Sequence, residues 1–206
     1  MSNGKNITPD QIYTWSDANK TTPKTSAPAL ADAMELFRPY AEAGREIVCF
    51  SISETIWETV RLFFAIIAAS ITRRPIPVER FVVDTLTYLY RGGRCNAVAA
   101  MAGGILKLHP RIVVENGAMN ASKKYRGKIN SVIMDYVKDM EKDLKNARPE
   151  RVFITHSGCK QETVEKVRAY LEELGVFDEI LETRAGGVIS SHCGPGTLGV
   201  LYIAKS

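Results

Sequence analysis

The chain has 206 residues, 45% hydrophobic and 24% charged, a composition typical of a globular protein and unlike that of disordered, collagen-like or disulfide-dense chains. Twenty-seven basic and 23 acidic residues give a formal net charge of +4, which by itself does not indicate nucleic-acid binding. The basic residues are concentrated, because residues 73–128 hold eleven Lys or Arg and three acidic residues. An anionic ligand or partner is therefore expected near this segment.

The cysteines and apolar runs argue against metal binding, secretion and membrane insertion. Cys49, Cys95, Cys159 and Cys193 form no CxxC pair and lack a nearby His pair at zinc-ligand spacing, so we expect reduced thiols, no metal and no cofactor. The amino terminus lacks a basic start followed by an apolar stretch. The longest apolar run, residues 62–71, is half of what a bilayer requires. These features predict a cytoplasmic protein without a membrane span.

The first part of the chain alternates between helix and strand signals. Residues 1–24 are polar and weakly patterned, whereas a capping hydroxyl, an early proline and a terminal glycine predict an amphipathic helix over residues 26–44. Residues 46–53 are typical of a buried strand, and residues 54–70 of a helix that is apolar on nearly all sides. This order predicts an α/β layer with a parallel sheet. If no sheet covers the apolar helix, a homodimer would bury it.

Pro75 and Pro77 mark the predicted boundary between a shortened N-terminal α/β part, residues 1–79, and a second domain, residues 80–206. Apolar runs and helical spacing alternate through the second domain, and Asn116-Gly117 between apolar residues predicts a hairpin. The predicted elements are a strand at RFVVDTL entering a helix that ends at RGGR, a small-residue helix over 95–106, a hairpin over 111–119, helices over 127–144 and 162–174, and strands within 151–158, 179–186 and 197–204.

The stretch SSHCGPGTLGVLYIA, residues 190–204, carries the strongest chemical signal. Three glycines and a proline surround His192 just ahead of an apolar strand. This pattern predicts a tight loop whose backbone approaches a ligand closely while the imidazole projects from it. Two interpretations stay open from the residues alone: a ligand-facing imidazole, or a simple turn in which His192 satisfies backbone groups.

Together with that terminal stretch, four further blocks resemble the DegV family of fatty-acid-binding proteins. They are PKTSAP (23–28), VDTLTYLYRGGR (83–94), KKYRGK (123–128) and THSG (155–158). The resemblance implies a Rossmann-like N-terminal part, here reduced, and an α/β C-terminal domain with a mixed or antiparallel sheet. It implies a carrier without catalytic residues that holds a long-chain fatty acid by its carboxylate at the domain interface. Some members present the bound acid to a separate fatty-acid kinase.

The resemblance also implies which residues bind the ligand. Hydroxyls near helix N-termini suit an anion, and arginine suits a carboxylate, or the surface that meets the kinase. The implied ligand-binding residues are Thr25, Ser26, Ser53, Arg94, Arg126, His192, Gly194 and Gly196. The lysines of KKYRGK are instead typical of a solvated cluster, and His109, ahead of Pro110, is expected to be structural.

The chain departs from the family pattern in three places. A strand and helix usual ahead of the PKTSAP block have no counterpart, and only SITRRPIPVE stands where a further strand and helix are usual. The family's serine-rich turn reads ISETIWET over residues 52–59, with Glu54, Trp57 and Glu58 in place of serine and glycine. Glu54 beside a bound carboxylate would repel it. Either its side chain points away or this turn no longer binds a fatty acid.

Two other function classes stay open. An enzyme acting on a carboxylated or phosphorylated metabolite would use His192 as general acid or base and Arg94 or Arg126 as an anion clamp. A protein that has lost its ligand would serve as an interaction partner. The sequence shows no nucleophile spaced with a base and no GxxxxGK loop, which favours the carrier. Nucleic-acid binding is not expected, because the basic segment lacks a recognisable nucleic-acid-binding motif.

Overall fold

The computed structural model describes residues 7–25, 30–45, 80–93, 108–115 and 118–205. These residues divide into two compact units. The larger unit takes its described residues from segments 1–24, 75–113 and 119–206, and the smaller from 25–74 and 114–118. Residues 7–24 thus group with the larger unit, and the predicted domain boundary after residue 79 stays a prediction.

Helices and strands alternate along the described part of the chain, as the sequence predicted for an α/β fold. The elements are α1 (Pro9–Asn19), α2 (Leu30–Glu42), β1 (Arg80–Val82), α3 (Thr87–Arg91), β2 (Leu108–Glu115), β3 (Ala118–Arg126), α4 (Ile129–Asp139), α5 (Glu141–Lys145), β4 (Ala147–His156), α6 (Gln161–Leu174), β5 (Ile180–Arg184), α7 (Gly187–Cys193) and β6 (Leu198–Ala204).

The strands form one mixed sheet. Six strands within the described residues follow the order β3-β2-β1-β6-β4-β5. Strand β1 runs antiparallel to β2 and β6, β4 runs antiparallel to β6, and β4 and β5 are parallel. The prediction of an α/β fold with a mixed or antiparallel sheet is confirmed.

The main core lies where α4 and α6 pack on the sheet. Both helices place apolar residues at three- and four-residue spacing, so each buries one stripe. Tyr136 is fully buried, donating a hydrogen bond to the Arg80 carbonyl at 2.7 Å and accepting one from the Val200 N–H at 3.2 Å. Each fully buried apolar side chain contributes about 1.5–3 kcal/mol. The core members from these helices, from α5 and from the Met140 junction are Val132, Ile133, Tyr136, Val137, Met140, Leu144, Val164, Val167 and Leu171.

Helix α1 corrects the expectation of an unpatterned N-terminal stretch. Thr8 caps it, with Thr8 Oγ1 accepting from the Gln11 N–H at 3.3 Å and the Thr8 N–H donating to Gln11 Oε1 at 2.8 Å. Pro9 occupies the first turn, where its missing N–H costs nothing. Only Ile12, Tyr13 and Ser16 of this helix are buried. The capping box TPDQ encodes the start of the helix. The apolar stripe of α1 is too narrow to predict a helix from its periodicity.

The remaining predicted elements of the second domain that fall on described residues are present, with one interruption. The helix expected over 127–144 breaks at Met140 into α4 and α5. The predicted strand over 46–53, the predicted helices over 54–70 and 95–106, and the Asn116-Gly117 turn of the predicted hairpin lie outside the described residues. No helix within the described part of the chain is long and apolar enough to cross a membrane.

The smaller unit contains α2, which confirms the amphipathic helix predicted before Gly44. Gly44 has a positive φ of 65°, and its N–H donates to the Ala41 carbonyl at 3.0 Å. Met34 and Tyr40 of this helix are exposed.

Candidate functional site

Two predicted site residues of the larger unit, Gly194 and Gly196, lie along one edge of the sheet. Strands β1 and β4 both run antiparallel to β6 and pair their last residues, Val82 and His156, with its first residue, Leu198. The end of β4 also pairs in parallel with the end of β5. The segments after β1, β4 and β5 and the loop ahead of β6 therefore meet. We call this region, formed by residues 83–86, 157–160, 185–186 and 194–197, the loop edge.

The prediction of a tight loop around His192 is wrong in its first half, because Gly187–Cys193 form helix α7. The Ser190 and Ser191 hydroxyls donate to backbone carbonyls of the preceding residues at 3.1 and 2.8 Å. Serine forms such local bonds both in helices and in turns, so the serine pair of the sequence does not distinguish α7 from the predicted loop. The turn itself is confined to residues 194–197.

Gly194 and Gly196 fit the turn through both their backbone and their packing. Their φ values are 75° and 79°, a region that side-chain-bearing residues adopt only with strain. A Cβ on Gly194 would lie 2.5 Å from Tyr88 Cδ2, and one on Gly196 would lie 3.1 Å from Asp84 Cβ. The two glycines therefore let the turn pack on α3 and on the segment after β1. Their role as ligand contacts stays a prediction.

His192 sits partly buried in the last turn of α7. Its ring lies against Gly92, where an added Cβ would be 2.1 Å from His192 Nδ1. The Gly92 N–H donates to the Tyr88 carbonyl at 2.9 Å and ends α3. Next to the histidine, the Ser191 carbonyl accepts a hydrogen bond from Thr22 Oγ1 at 2.6 Å. The imidazole thus occupies a defined position between α7 and the end of α3. We call this position, formed by Gly92, Ser191 and Thr22, the seat of His192.

Ser157, just after β4, holds the turn in place. Its hydroxyl donates to the Gly194 carbonyl, and its N–H donates to the Thr197 carbonyl at 2.9 Å. Its own carbonyl accepts from the Gly196 N–H at 3.1 Å and from the Tyr13 hydroxyl at 3.2 Å. Burial raises the pKa of Tyr13, so this hydroxyl remains a donor at neutral pH.

The contribution of the N-terminal segment was missed at the sequence level. Arg91, in the last turn of α3, donates from Nη1 to the Ser16 carbonyl at 3.3 Å and to Asp17 Oδ1 at 3.0 Å. The bond from Arg91 lowers the pKa of Asp17. The guanidinium also lies over the ring of Tyr88, 5.5 Å from its centroid. The capping box of α1 is the signal that could have located this helix, although nothing local indicates where it docks.

His109 links three strands and has the structural role expected of it. It is buried, with 5% of its surface exposed. Its Nδ1 lies 2.9 Å from the Asp84 carbonyl oxygen and its Nε2 lies 3.0 Å from that of Gly127. The imidazole therefore joins the start of β2 to the segments that follow β1 and β3.

Both ring nitrogens of His156 also have hydrogen-bond partners within the protein. Its Nδ1 accepts from the Cys159 N–H at 3.2 Å, so its proton is on Nε2, 3.3 Å from Glu182 Oε1. Burial raises the pKa values of the Cys159 and Cys193 thiols to about 12. Both thiols are therefore protonated at neutral pH and poor nucleophiles.

The basic candidates of KKYRGK differ in their partners. Lys123 pairs with Asp139, and its Nζ lies 5.0 Å from the ring centroid of Tyr125. Burial of Asp139 acts to raise its pKa, but the bonds from Lys123 and Tyr125 outweigh burial and lower it. Arg126 is exposed at the end of β3. Within the part of the chain that the structure describes, no ion pair is formed by Arg126 or Lys124.

The remaining candidates are Thr25 and residues outside the described part of the chain. Thr25 is partly buried in the smaller unit. Three predicted contacts and the three departures in the serine-rich turn lie outside the described residues: Ser26, Ser53, Arg94, Glu54, Trp57 and Glu58. No group of three His, Cys, Asp or Glu able to hold a metal occurs among the residues the structure describes.

Among proteins of known sequence, the chain is 34% identical over 127 residues to a DegV domain-containing protein of Clostridium perfringens, a match covering 61% of this chain and 43% of that protein. It is 30% identical over 119 residues to a protein of Thermotoga maritima named fatty acid-binding protein, covering 58% of this chain and 41% of the relative. Both matches span less than half of the relative's length.

Solved structures share the fold. A DegV family protein from Thermus thermophilus, described by its fatty acid binding, superimposes with a TM-score of 0.78 at 22% identity, covering 98% of this chain and 86% of that one. The Fatty Acid Kinase B3 protein of Streptococcus pneumoniae, loaded with linoleic acid, gives 0.53 at 15% identity, covering 95% and 65%. The family model described as uncharacterised protein, DegV family, matches residues 65–205. The chain belongs to the DegV family.

Proposed function

We propose that the protein is a carrier that binds a long-chain fatty acid by its carboxylate, with the His192 imidazole donating a hydrogen bond to the head group. The seat of His192 carries this proposal. Gly92 lies against the ring, and Thr22 fixes the backbone beside it, so the donor is held in place before a ligand arrives. Such preorganisation lowers the cost of binding. The names of the relatives from Thermotoga maritima and Thermus thermophilus support a fatty acid as the ligand.

The chemistry around this seat suits an anion. An N–H bond to a carboxylate is charge-assisted and stronger than a neutral one. His109 and His156 are both buried, with each ring nitrogen bonded to a protein group, whereas His192 is partly buried. Arg126, Arg94 and the hydroxyls of Thr25, Ser26 and Ser53 are the further proposed contacts.

A carrier role rather than catalysis fits the described side chains. The Cys159 thiol has a raised pKa of about 12, and the His156 imidazole donates to Glu182, so neither offers an activated nucleophile. The kinase named in the Streptococcus pneumoniae neighbour supports a separate kinase as the partner that acts on the bound acid. We place this handover in the cytoplasm, where free thiols such as Cys159 and Cys193 stay reduced. A homodimer through the helix predicted over residues 54–70 stays a prediction.

The test measures ligand content and affinity on the same preparations. Native mass spectrometry of protein purified from cells should detect a bound mass in the fatty-acid range. Titration calorimetry with oleate should then show weaker binding by His192→Ala, by about 10- to 100-fold, the effect of losing one hydrogen bond to a charged group. His156→Gln is the matched control, because that buried imidazole serves Cys159 and Glu182. It should lower the melting temperature and leave oleate affinity unchanged.

Three outcomes would contradict the proposal. A wild-type protein that purifies empty and does not bind oleate is not a fatty-acid carrier. If His192→Ala melts earlier but binds oleate as the wild type does, the imidazole is a structural group. If His192→Ala binds normally but loses an acyl or phosphoryl transfer activity by about 100- to 10,000-fold, the histidine is a general acid or base of an enzyme.

A further inference from the structure

A short helix and the residue that ends it contact the end of α7 and the turn that follows. Gly92, the C-cap of α3, meets the His192 imidazole, and Tyr88 of α3 packs its ring against Gly194. Helix α3 spans five residues, Thr87–Arg91. A helix of this length has no independent stability. The position of the His192 seat therefore depends on what holds α3.

Arg91 attaches α3 to α1. Its Nη1 donates to the Ser16 carbonyl and to Asp17 Oδ1 at 3.3 and 3.0 Å. The Arg91 side chain is only 14% exposed, whereas that of Asp17 is 60% exposed. The guanidinium is therefore shielded from solvent more than in an ordinary surface ion pair, although the carboxylate is not. We call these three residues, Arg91, Ser16 and Asp17, the α1–α3 clamp.

The same guanidinium also orients the aromatic side of the seat. Arg91 lies over the Tyr88 ring at 5.5 Å, and Tyr88 meets Tyr13 of α1 edge-to-face, with centroids 6.0 Å apart and planes at 82°. A planar guanidinium can stack on a ring and donate two bonds at once, which an ammonium cannot do as well. One side chain thus fixes the helix that carries Gly92 and the ring that contacts Gly194.

We propose that Arg91 is a positioning residue for His192. By holding α3 on α1, it fixes where the imidazole lies and therefore how well the imidazole can meet a carboxylate. The effect on ligand affinity rests on the proposed function, whereas the effect on the imidazole itself does not. The two effects are therefore measured separately.

The experiment compares Arg91→Gln and Arg91→Lys with Arg151→Gln. Arg151 forms an Arg–carboxylate pair with Glu179 at 2.8 Å, with both side chains about half exposed, and neither residue belongs to the seat. The chain has three histidines, so His192 can be assigned by NMR from its single-residue variant. Arg91→Gln should shift the His192 ring ¹⁵N and ¹H signals of ligand-free protein and weaken oleate binding by roughly tenfold. Arg91→Lys should give a smaller change and Arg151→Gln none.

The outcomes separate this proposal from the carrier function. If Arg91→Gln lowers the melting temperature but leaves the His192 signals and oleate affinity unchanged, Arg91 is merely structural and the proposal is wrong. If the His192 signals move but wild-type protein does not bind oleate, the positioning role stands and the carrier function fails. Equal effects of Arg91→Gln and Arg151→Gln would also overturn the proposal. If Arg91→Gln does not fold, Asp17→Asn weakens the clamp while keeping Arg91, and the same two readouts apply.

Discussion

Replacing Gly92 by alanine should displace His192 without straining the backbone of α3. Gly92 has φ −82° and ψ 0°, values that alanine tolerates. Its new Cβ would lie 2.1 Å from His192 Nδ1 and 2.8 Å from Cε1. To reach an ordinary van der Waals distance of about 3.5 Å, the ring must move by roughly 1.5 Å. The substitution therefore acts on the imidazole through contact alone.

Two measurable effects follow from this displacement. Over-packing of this kind costs about 1–3 kcal/mol in the free energy of unfolding, so the urea midpoint of Gly92→Ala should fall. A head-group bond from His192 would also be lost or lengthened, and losing a bond to a charged group costs about 1.5–3 kcal/mol. Oleate affinity should therefore fall by roughly 10- to 100-fold.

Gly93→Ala is the matched control, since it changes the next residue and creates no clash. Gly93 has a φ of 65° and nothing within 4 Å of an added Cβ. Alanine there should cost about 1–2 kcal/mol of backbone strain and leave oleate affinity unchanged. Placing Gly92→Ala in a His192→Ala background removes the clashing ring, so its stability cost should shrink.

Equal stability costs of Gly92→Ala with and without the imidazole would contradict the predicted clash. Wild-type oleate affinity in Gly92→Ala, together with weaker binding by Gly93→Ala, would contradict the predicted loss of the head-group bond. In the first case the clash is relieved elsewhere, and in the second the backbone of the glycine pair matters more than the seat.

Two further substitutions test the surroundings of the seat. Thr22→Val removes the hydroxyl that donates to the Ser191 carbonyl at 2.6 Å and should lower the free energy of unfolding by about 1 kcal/mol; an unchanged denaturation midpoint would contradict this. Asp139 has a lowered pKa in the folded state, below its ordinary 3.8. Its contribution to stability is thus present above pH 3.8 and is lost as the pH falls through the folded pKa. Asp139→Asn should be less stable than the wild type at pH 7, with a gap that narrows below pH 3.8; an equal gap in urea denaturation at pH 7 and pH 3 would contradict the assignment.

The elements between residues 127 and 204 other than α7 could be predicted because their periodicity reflects burial. Residues Val132, Ile133, Tyr136 and Val137 fall on one stripe of α4, and all four are buried. A stripe of this kind identifies a helix and its core face before any tertiary contact is known. Strand β6 could be predicted because its residues form an apolar run that follows a glycine-rich turn.

Helices α1 and α7 could not be read this way, because neither is defined by an apolar stripe. Only three residues of α1 are buried. In α7, the Ser190 hydroxyl donates to the Ala185 carbonyl just ahead of the helix, and the Ser191 hydroxyl donates to the Val188 carbonyl within it. Serine forms such local bonds in turns as well. Residues 187–193 pack against α1 and α3, which are far away in the sequence, and this packing favours a helix over a turn.

The seat of His192 explains why the glycine signal was ambiguous. A crowded glycine cluster indicates close approach to the backbone, but approach by a ligand and approach by the protein's own side chains leave the same sequence pattern. Here Gly92 meets an imidazole and Gly194 meets Tyr88, and the hydrogen bonds that complete the arrangement join residues 169 and 144 positions apart. His192 could therefore be identified from the local sequence. The residues that fix the position of its imidazole are distant in the sequence and could be identified only from the folded structure.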